Sequence, residues 1–164
     1  MSQSSMIEIF MYQVGQLFLL PVLSLVALLF VYALYVLGSF TVQALQRRDP
    51  EKMGGFPLMR YVAKRPEATE DELDLFAHKL LEPERLASRI APMLGLVGTM
   101  IPMGPALKSL SDGNLAQVSG SLTVAFSAVI LELIAASITY WVANVRRRWL
   151  AEELVTLQQR KVAA

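Results

Sequence analysis

One carboxyl and a few hydroxyls are the side chains in the long apolar stretches of this chain that could handle a proton. Glu132 is the sole charge in "SGSLTVAFSAVILELIAASITYWVANV", residues 119–145. A carboxylate at mid-bilayer costs on the order of 3 kcal/mol or more, and intramembrane acids mark ion or substrate paths by default. No Lys, Arg or His lies at matching depth in the other apolar stretches, so Glu132 either holds its proton or faces water or a partner's charge. The plainer alternative is a neutral acid bonded to a hydroxyl such as that of Tyr32 or Tyr35. Thr99 stands inside "MLGLVGTMIPMGPAL", residues 93–107. Ser119, Thr123 and Ser127 recur every four residues and form a hydroxyl stripe. Each could simply bond the carbonyl one turn back.

The elements that must position these groups are membrane helices. Hydrophobic residues make up 54% of the 164, and mean hydropathy is +0.45, above a typical soluble domain. Residues 14–40 run 27 residues without a charge, where about 20 suffice to cross the hydrocarbon. A cleaved signal peptide is the competing reading, but the stretch is too long and lacks a basic leader and a cleavage site. Residues 90–110 and 119–145 supply a second and third span, and Asp112-Gly113-Asn114 lies in the external turn 111–118. Residues 1–13 read as an external interfacial segment, with Met6, Ile9, Phe10 and Tyr12 toward lipid.

Basic residues set the expected orientation. Residues 41–89 hold nine Lys and Arg and residues 146–164 hold five, whereas the turn between the later spans has Lys108 alone. The positive-inside rule then predicts an external N-terminus, a cytoplasmic hairpin over 41–89 and a cytoplasmic helical tail over 146–164. Within the hairpin, Thr69 and Glu72 form a predicted capping box ahead of a helix with Leu73, Phe76, Leu80 and Leu81 on one face. The preceding stretch, with Lys52, reads as turns, and Pro83 suits the first turn of a fresh helix running into the second span. The arginine run 146–148 reads as a topology anchor that attracts anionic lipid.

Gly95, Gly98 and Gly104 are expected on one side of the second span, where small residues let helices approach. Pro102 and Pro105 free carbonyls that need partners. There are no cysteines and one histidine, His78, so neither a thiolate site nor a multi-histidine metal site is available in one chain. No cofactor is expected, net charge of +1 gives no argument for nucleic acid, and no nucleophile–base cluster suggests an enzyme.

"APMLGLVGT", residues 91–99, resembles the start of the second membrane helix of the MotA/TolQ/ExbB proton channel family, and residues 119–145 can be laid on that family's third span. The likeness covers about residues 85–150 and is closest to short members with truncated hairpins. It implies an all-α membrane protein with three transmembrane helices extending into the cytoplasm, assembled in the inner (plasma) membrane as a homo-oligomeric ring, usually a pentamer. A single-span partner of the ExbD/TolR/MotB kind, bearing an intramembrane Asp, would sit inside. Ion flow past it would drive motion, with Thr99, Thr123, Ser127 and Glu132 lining the proton path and the glycines serving helix packing. Three positions depart from the pattern. Val129 stands where the family usually has threonine, Val124 where it has a polar group and Glu132 where it tends to have glycine. On a helix Glu132 lies roughly 60° from Val129 and is expected to replace the missing hydroxyl. The alternative is a non-conducting scaffold on the same fold.

Overall fold

The computed structural model describes residues 3–48 and 53–162. Lys52, and the side chains of Ile9 and Lys161, lie outside what it describes. Among these described residues, five α-helices follow in chain order: α1 Gln3–Leu17, α2 Leu19–Arg47, α3 Pro57–Lys64, α4 Glu70–Ser111 and α5 Leu115–Val162. A single 3-10 turn, Met53–Gly55, precedes α3. Three stretches are long and apolar enough to cross a membrane: Phe10–Arg47, Glu70–Ser111 and Leu115–Arg160. At about 1.5 Å per residue, α4 and α5 far exceed the ~30 Å of hydrocarbon, so each continues well beyond its span.

Several boundaries differ from the sequence expectation, each for a local reason. No break separates an interfacial segment from the first span at residue 13. The interruption is at Phe18, whose N–H reaches Gly15 O at 3.2 Å. Pro21 has no N–H for the Leu17 carbonyl and its ring crowds that carbonyl, so the ladder lapses there. Pro83 opens no new helix; α4 runs through it unbroken for 42 residues. The capping box forms as the motif demands, with Glu72 N–H donating to Thr69 Oγ1 at 3.3 Å and Thr69 N–H donating to Glu72 Oε2 at 3.4 Å. The turn between α4 and α5 spans only residues 112–114. Gly113 has φ of +75°, a conformation that disfavours any Cβ, and Asn114 caps α5 by accepting from Gln117 N–H at 3.2 Å. Residues 57–64, read as turns, form α3: Pro57 opens the helix, Leu58 is buried, and Tyr61 and Val62 follow on the same side.

The contacts divide into two compact units, Met1–Tyr32 with Arg89–Ala136, and Ala33–Ser88 with Ser137–Ala164. In the first, Val22 and Val26 of α2 pack on Ala128 of α5, flanked by Leu23, Ile101 and Leu131. In the second, Leu58 and Ala68 join Leu73, Ala77 and Leu81 of α4 and Leu150 and Leu157 of α5. Phe76 stacks on Tyr61 with ring centroids 4.5 Å apart. Leu80 is exposed, and Ala77 holds the buried position instead.

Candidate functional site

The face of α4 buried in the first unit recurs at Ala91, Gly95, Gly98, Pro102, Ala106 and Ser109. The steps of three and four residues average the helical repeat, and every residue is small or proline. On α5 the buried face recurs at Ala125, Ala128, Glu132 and Ala135. Two helices that present small residues approach closely. A Cβ built on Gly95 would stand 3.1 Å from Glu132 Cβ and 3.4 Å from Val129 Cγ2, and one on Gly98 would stand 3.3 Å from Ala128 Cβ. Gly95 thus clears the space beside the acid. Gly104 does not share this seam. Nine residues from Gly95 is about two and a half turns, so it is exposed and would meet only Tyr12, at 3.6 Å.

Glu132 is fully enclosed by its own protomer, at 0% exposure. Neither carboxyl oxygen has a hydrogen-bond partner among the described residues, so neither the bond to Tyr32 nor that to Tyr35 is made. Thr123 and Ser127 are exposed, and each hydroxyl donates to the carbonyl one turn back, at 2.9 Å to Ser119 O and 2.8 Å to Thr123 O. They lie nine and five residues from Glu132, about 180° and 140° around α5. Thr99 is half-buried and donates to Leu96 O at 2.7 Å. The hydroxyl stripe and the acid therefore occupy opposite faces of α5.

The second unit holds two buried ionic clusters that the sequence reading missed. Arg146 pairs with Glu84 and donates to Ser39 Oγ at 2.9 Å. It is therefore committed inside the protomer, unlike the exposed Arg147 and Arg148. Arg47 donates to Glu153 Oε1 at 3.1 Å, and Glu153 Oε2 accepts the Leu58 N–H at 2.9 Å. The same guanidinium lies 4.6 Å from the ring centres of Phe56 and Trp149. Trp149 in turn stacks on Phe40 at 5.1 Å. Burial raises the Glu84 carboxyl above its ordinary range, opposed by Arg146. Burial likewise raises Glu153, opposed by the Leu58 N–H and Arg47. A sequence signal existed: Glu132, Thr139, Arg146 and Glu153 recur every seven residues on α5, and all but Arg146 are fully buried. Seven residues is nearly two turns, so polar residues at that spacing share one side.

Residues 66–159 match the model of the MotA/TolQ/ExbB proton channel family. The chain belongs to this family. No curated protein and no solved structure matches it. The family match takes in nearly all of α4 and α5, so the glycine seam, Glu132, the hydroxyl stripe and the Glu84–Arg146 pair fall inside it, while α1, α2 and α3 fall outside. With three apolar helices of spanning length, this MotA/TolQ/ExbB member is a multi-pass all-helical membrane protein of a channel family. His78 is exposed beside Asp74, and no group of three or more metal-ligating side chains occurs among the described residues.

Proposed function

We propose that the chain is the ring-forming subunit of a proton-driven, energy-transducing complex in the inner membrane. Ion flow through its lumen would move a single-span partner of the ExbD/TolR/MotB kind that carries an intramembrane aspartate. The observation that carries this reading is the exposed stripe of Thr123 and Ser127 on an otherwise apolar outer surface of α5, where Val124, Phe126 and Ile130 are also exposed. Hydroxyls gain nothing by facing lipid tails. Several copies closed into a ring, with the stripe turned inward, would give them water and the partner's acid to face. A pentamer is the copy number that the family implies, with the N-terminus outside and α3 cytoplasmic. In this proposal Thr123 and Ser127 line the lumen, and Thr99 borders it. Glu132 belongs to the α4–α5 seam behind it and holds its proton there.

A second reading, a non-conducting scaffold on the same fold, draws on Val129, which has no hydroxyl, and on the enclosure of Glu132. Proton flux into liposomes holding the ring with its partner separates the two. The double variant Thr123→Val/Ser127→Ala is expected to lower flux at least about tenfold, on the scale by which single positioned proton-transfer groups act. Glu132→Gln is expected to retain it. Flux that ignores the stripe and fails in Glu132→Gln would return the path to the acid. Absence of flux in native particles, together with particles that lack a ring axis, would leave the scaffold.

A further inference from the structure

Arg85 and Arg147 line one groove of the second unit, about 300 Å³ in volume, between α4 and α5. Its floor is Leu81, Leu150 and Leu154, and Asp74 and His78 close its far end. Both arginines are exposed, and neither guanidinium has an ion pair or hydrogen bond among the described residues. Their neighbours differ. Arg146 is taken by Glu84, and Glu153 is taken by Arg47 and the Leu58 N–H. Every acid buried near this end of the helices is thus already matched, and the groove keeps two unmatched guanidiniums over apolar side chains. Asp74, the acid in the lining, is three helical turns from Arg85 along α4 and sits beside His78 with Nδ1···Oδ1 of 3.5 Å.

Position along the helices says what meets these arginines. Arg147 follows the charge-free part of α5 by two residues, and Arg85 precedes the apolar part of α4 by five, about 3 and 8 Å along their axes. The cationic mouth of the groove is therefore at phospholipid headgroup depth, and its apolar floor continues away from it. Guanidinium is the side chain suited to bidentate phosphate recognition, and basic pockets between membrane helices take anionic headgroups. We propose that this groove binds the phosphate headgroup of an anionic phospholipid, held by Arg85 and Arg147 together. The site needs only that α4 and α5 span the membrane, so it stands whether or not the protein conducts protons.

The test uses full-length protein purified in mild detergent and returned to nanodiscs of zwitterionic lipid with a small fraction of phosphatidylglycerol. Lipid retained by the protein is read by native mass spectrometry. The variant Arg85→Gln/Arg147→Gln is compared with Arg89→Gln/Arg148→Gln, which removes the same charge from the same two helices outside the groove. The groove variant is expected to weaken phosphatidylglycerol retention on the order of 30-fold, from two surface arginines near charged lipid, with the control within about threefold of native. Inorganic phosphate at equal concentration is expected not to displace the lipid. Equal loss in both variants would reduce the effect to general surface charge and overturn the site. Displacement by free phosphate would overturn the lipid assignment. Loss of copy number in the groove variant, with lipid retention unchanged, would make the groove a contact with a second copy and would also overturn it.

Discussion

Replacing Arg146 with methionine removes the cation that Glu84 faces inside the second unit. The Glu84 side chain keeps 4% of its exposure and Arg146 keeps 14%, so water does not replace the lost partner. Removing one member of a buried pair costs about 3–5 kcal/mol, because the other is left enclosed and uncompensated. Here Glu84 Oε2 and Arg146 Nε have no hydrogen-bond partner among the described residues, so the pair is incompletely satisfied and the lower end, about 3 kcal/mol, applies. At about 2–4 °C per kcal/mol, Tm should fall by roughly 6–12 °C. The assay is thermal unfolding in detergent, followed by circular dichroism, for Glu84→Met, Arg146→Met and the double variant. Two apolar side chains of similar volume satisfy each other, so the double variant should be less destabilised than the sum of the singles by at least about 1.5 kcal/mol. Arg148→Met, exposed one turn fraction away, should cost under about 0.5 kcal/mol. Additivity of the two single effects within about 0.5 kcal/mol would refute the reasoning, because it would mean the two groups do not sense each other.

Three further outcomes follow from the same geometry. Glu84 and Glu153 have folded pKa values raised above the ordinary 4.5 by burial, so the folded state binds their protons more tightly than the unfolded chain does. Their contribution is greatest below 4.5 and is lost as pH rises through the raised folded values; Glu84→Gln and Glu153→Gln should flatten that fall in unfolding measured against pH, and a native stability that climbs across this window would contradict it. Gly95→Leu should cost about 1–3 kcal/mol by overpacking against Glu132 and Val129, whereas Gly104→Ala should be neutral or stabilising by up to about 1 kcal/mol; thermal unfolding of the two compares them directly. Arg47→Leu strips Glu153 of its charge partner and empties the space between Phe56 and Trp149, so it should cost about 3–5 kcal/mol and shift the tryptophan emission, and an unchanged spectrum would deny the stack.

Much of this was legible before any coordinates. Charge-free runs named the spans, and Thr69 with Glu72 named the start of α4, because both are local effects of solvation and capping. Pro83 misled because a proline at a helix start and a proline inside a long helix look alike in sequence; tertiary packing of Leu81 and Ala87 on either side carries the helix through. α3 was hidden by the turn formers around it, since eight residues cannot advertise a helix that is held by packing and by the bond from Leu58 N–H to Glu153. The spacing of three and then six residues suggests one side for Gly95, Gly98 and Gly104, but nine residues from Gly95 is about two and a half turns, which places Gly104 on the far side. Arg47 and Arg146 were read as charges that orient the chain. Their partners Glu153 and Glu84 lie 106 and 62 residues away, and no local rule pairs them, although the seven-residue recurrence of polar residues on α5 marks the face they occupy.

That recurrence bears on how a proton could use α5. The helix carries its exposed hydroxyls on one side and its enclosed polar residues on the other, so a substitution on one side should leave the other's task intact. An acid placed in the stripe would be hydrated by any lumen and would exchange its proton with the stream. An acid in the seam, against Gly95, is dry, and it can exchange only when α4 and α5 separate at that glycine. If Glu132 contributes to ion movement, its rate must then follow the opening of the α4–α5 contact. Gly95→Ala puts a Cβ 3.1 Å from Glu132 Cβ, so the neighbour must give by a few tenths of an ångström; loosening the contact in this way should speed hydrogen–deuterium exchange at the Glu132 carboxyl, read by infrared spectroscopy against Glu132→Gln, while leaving the Thr123 and Ser127 surface unchanged. Exchange no faster in Gly95→Ala than in the native chain would mean that opening at this glycine does not limit it, and the assignment of the two faces to separate tasks would fall with it.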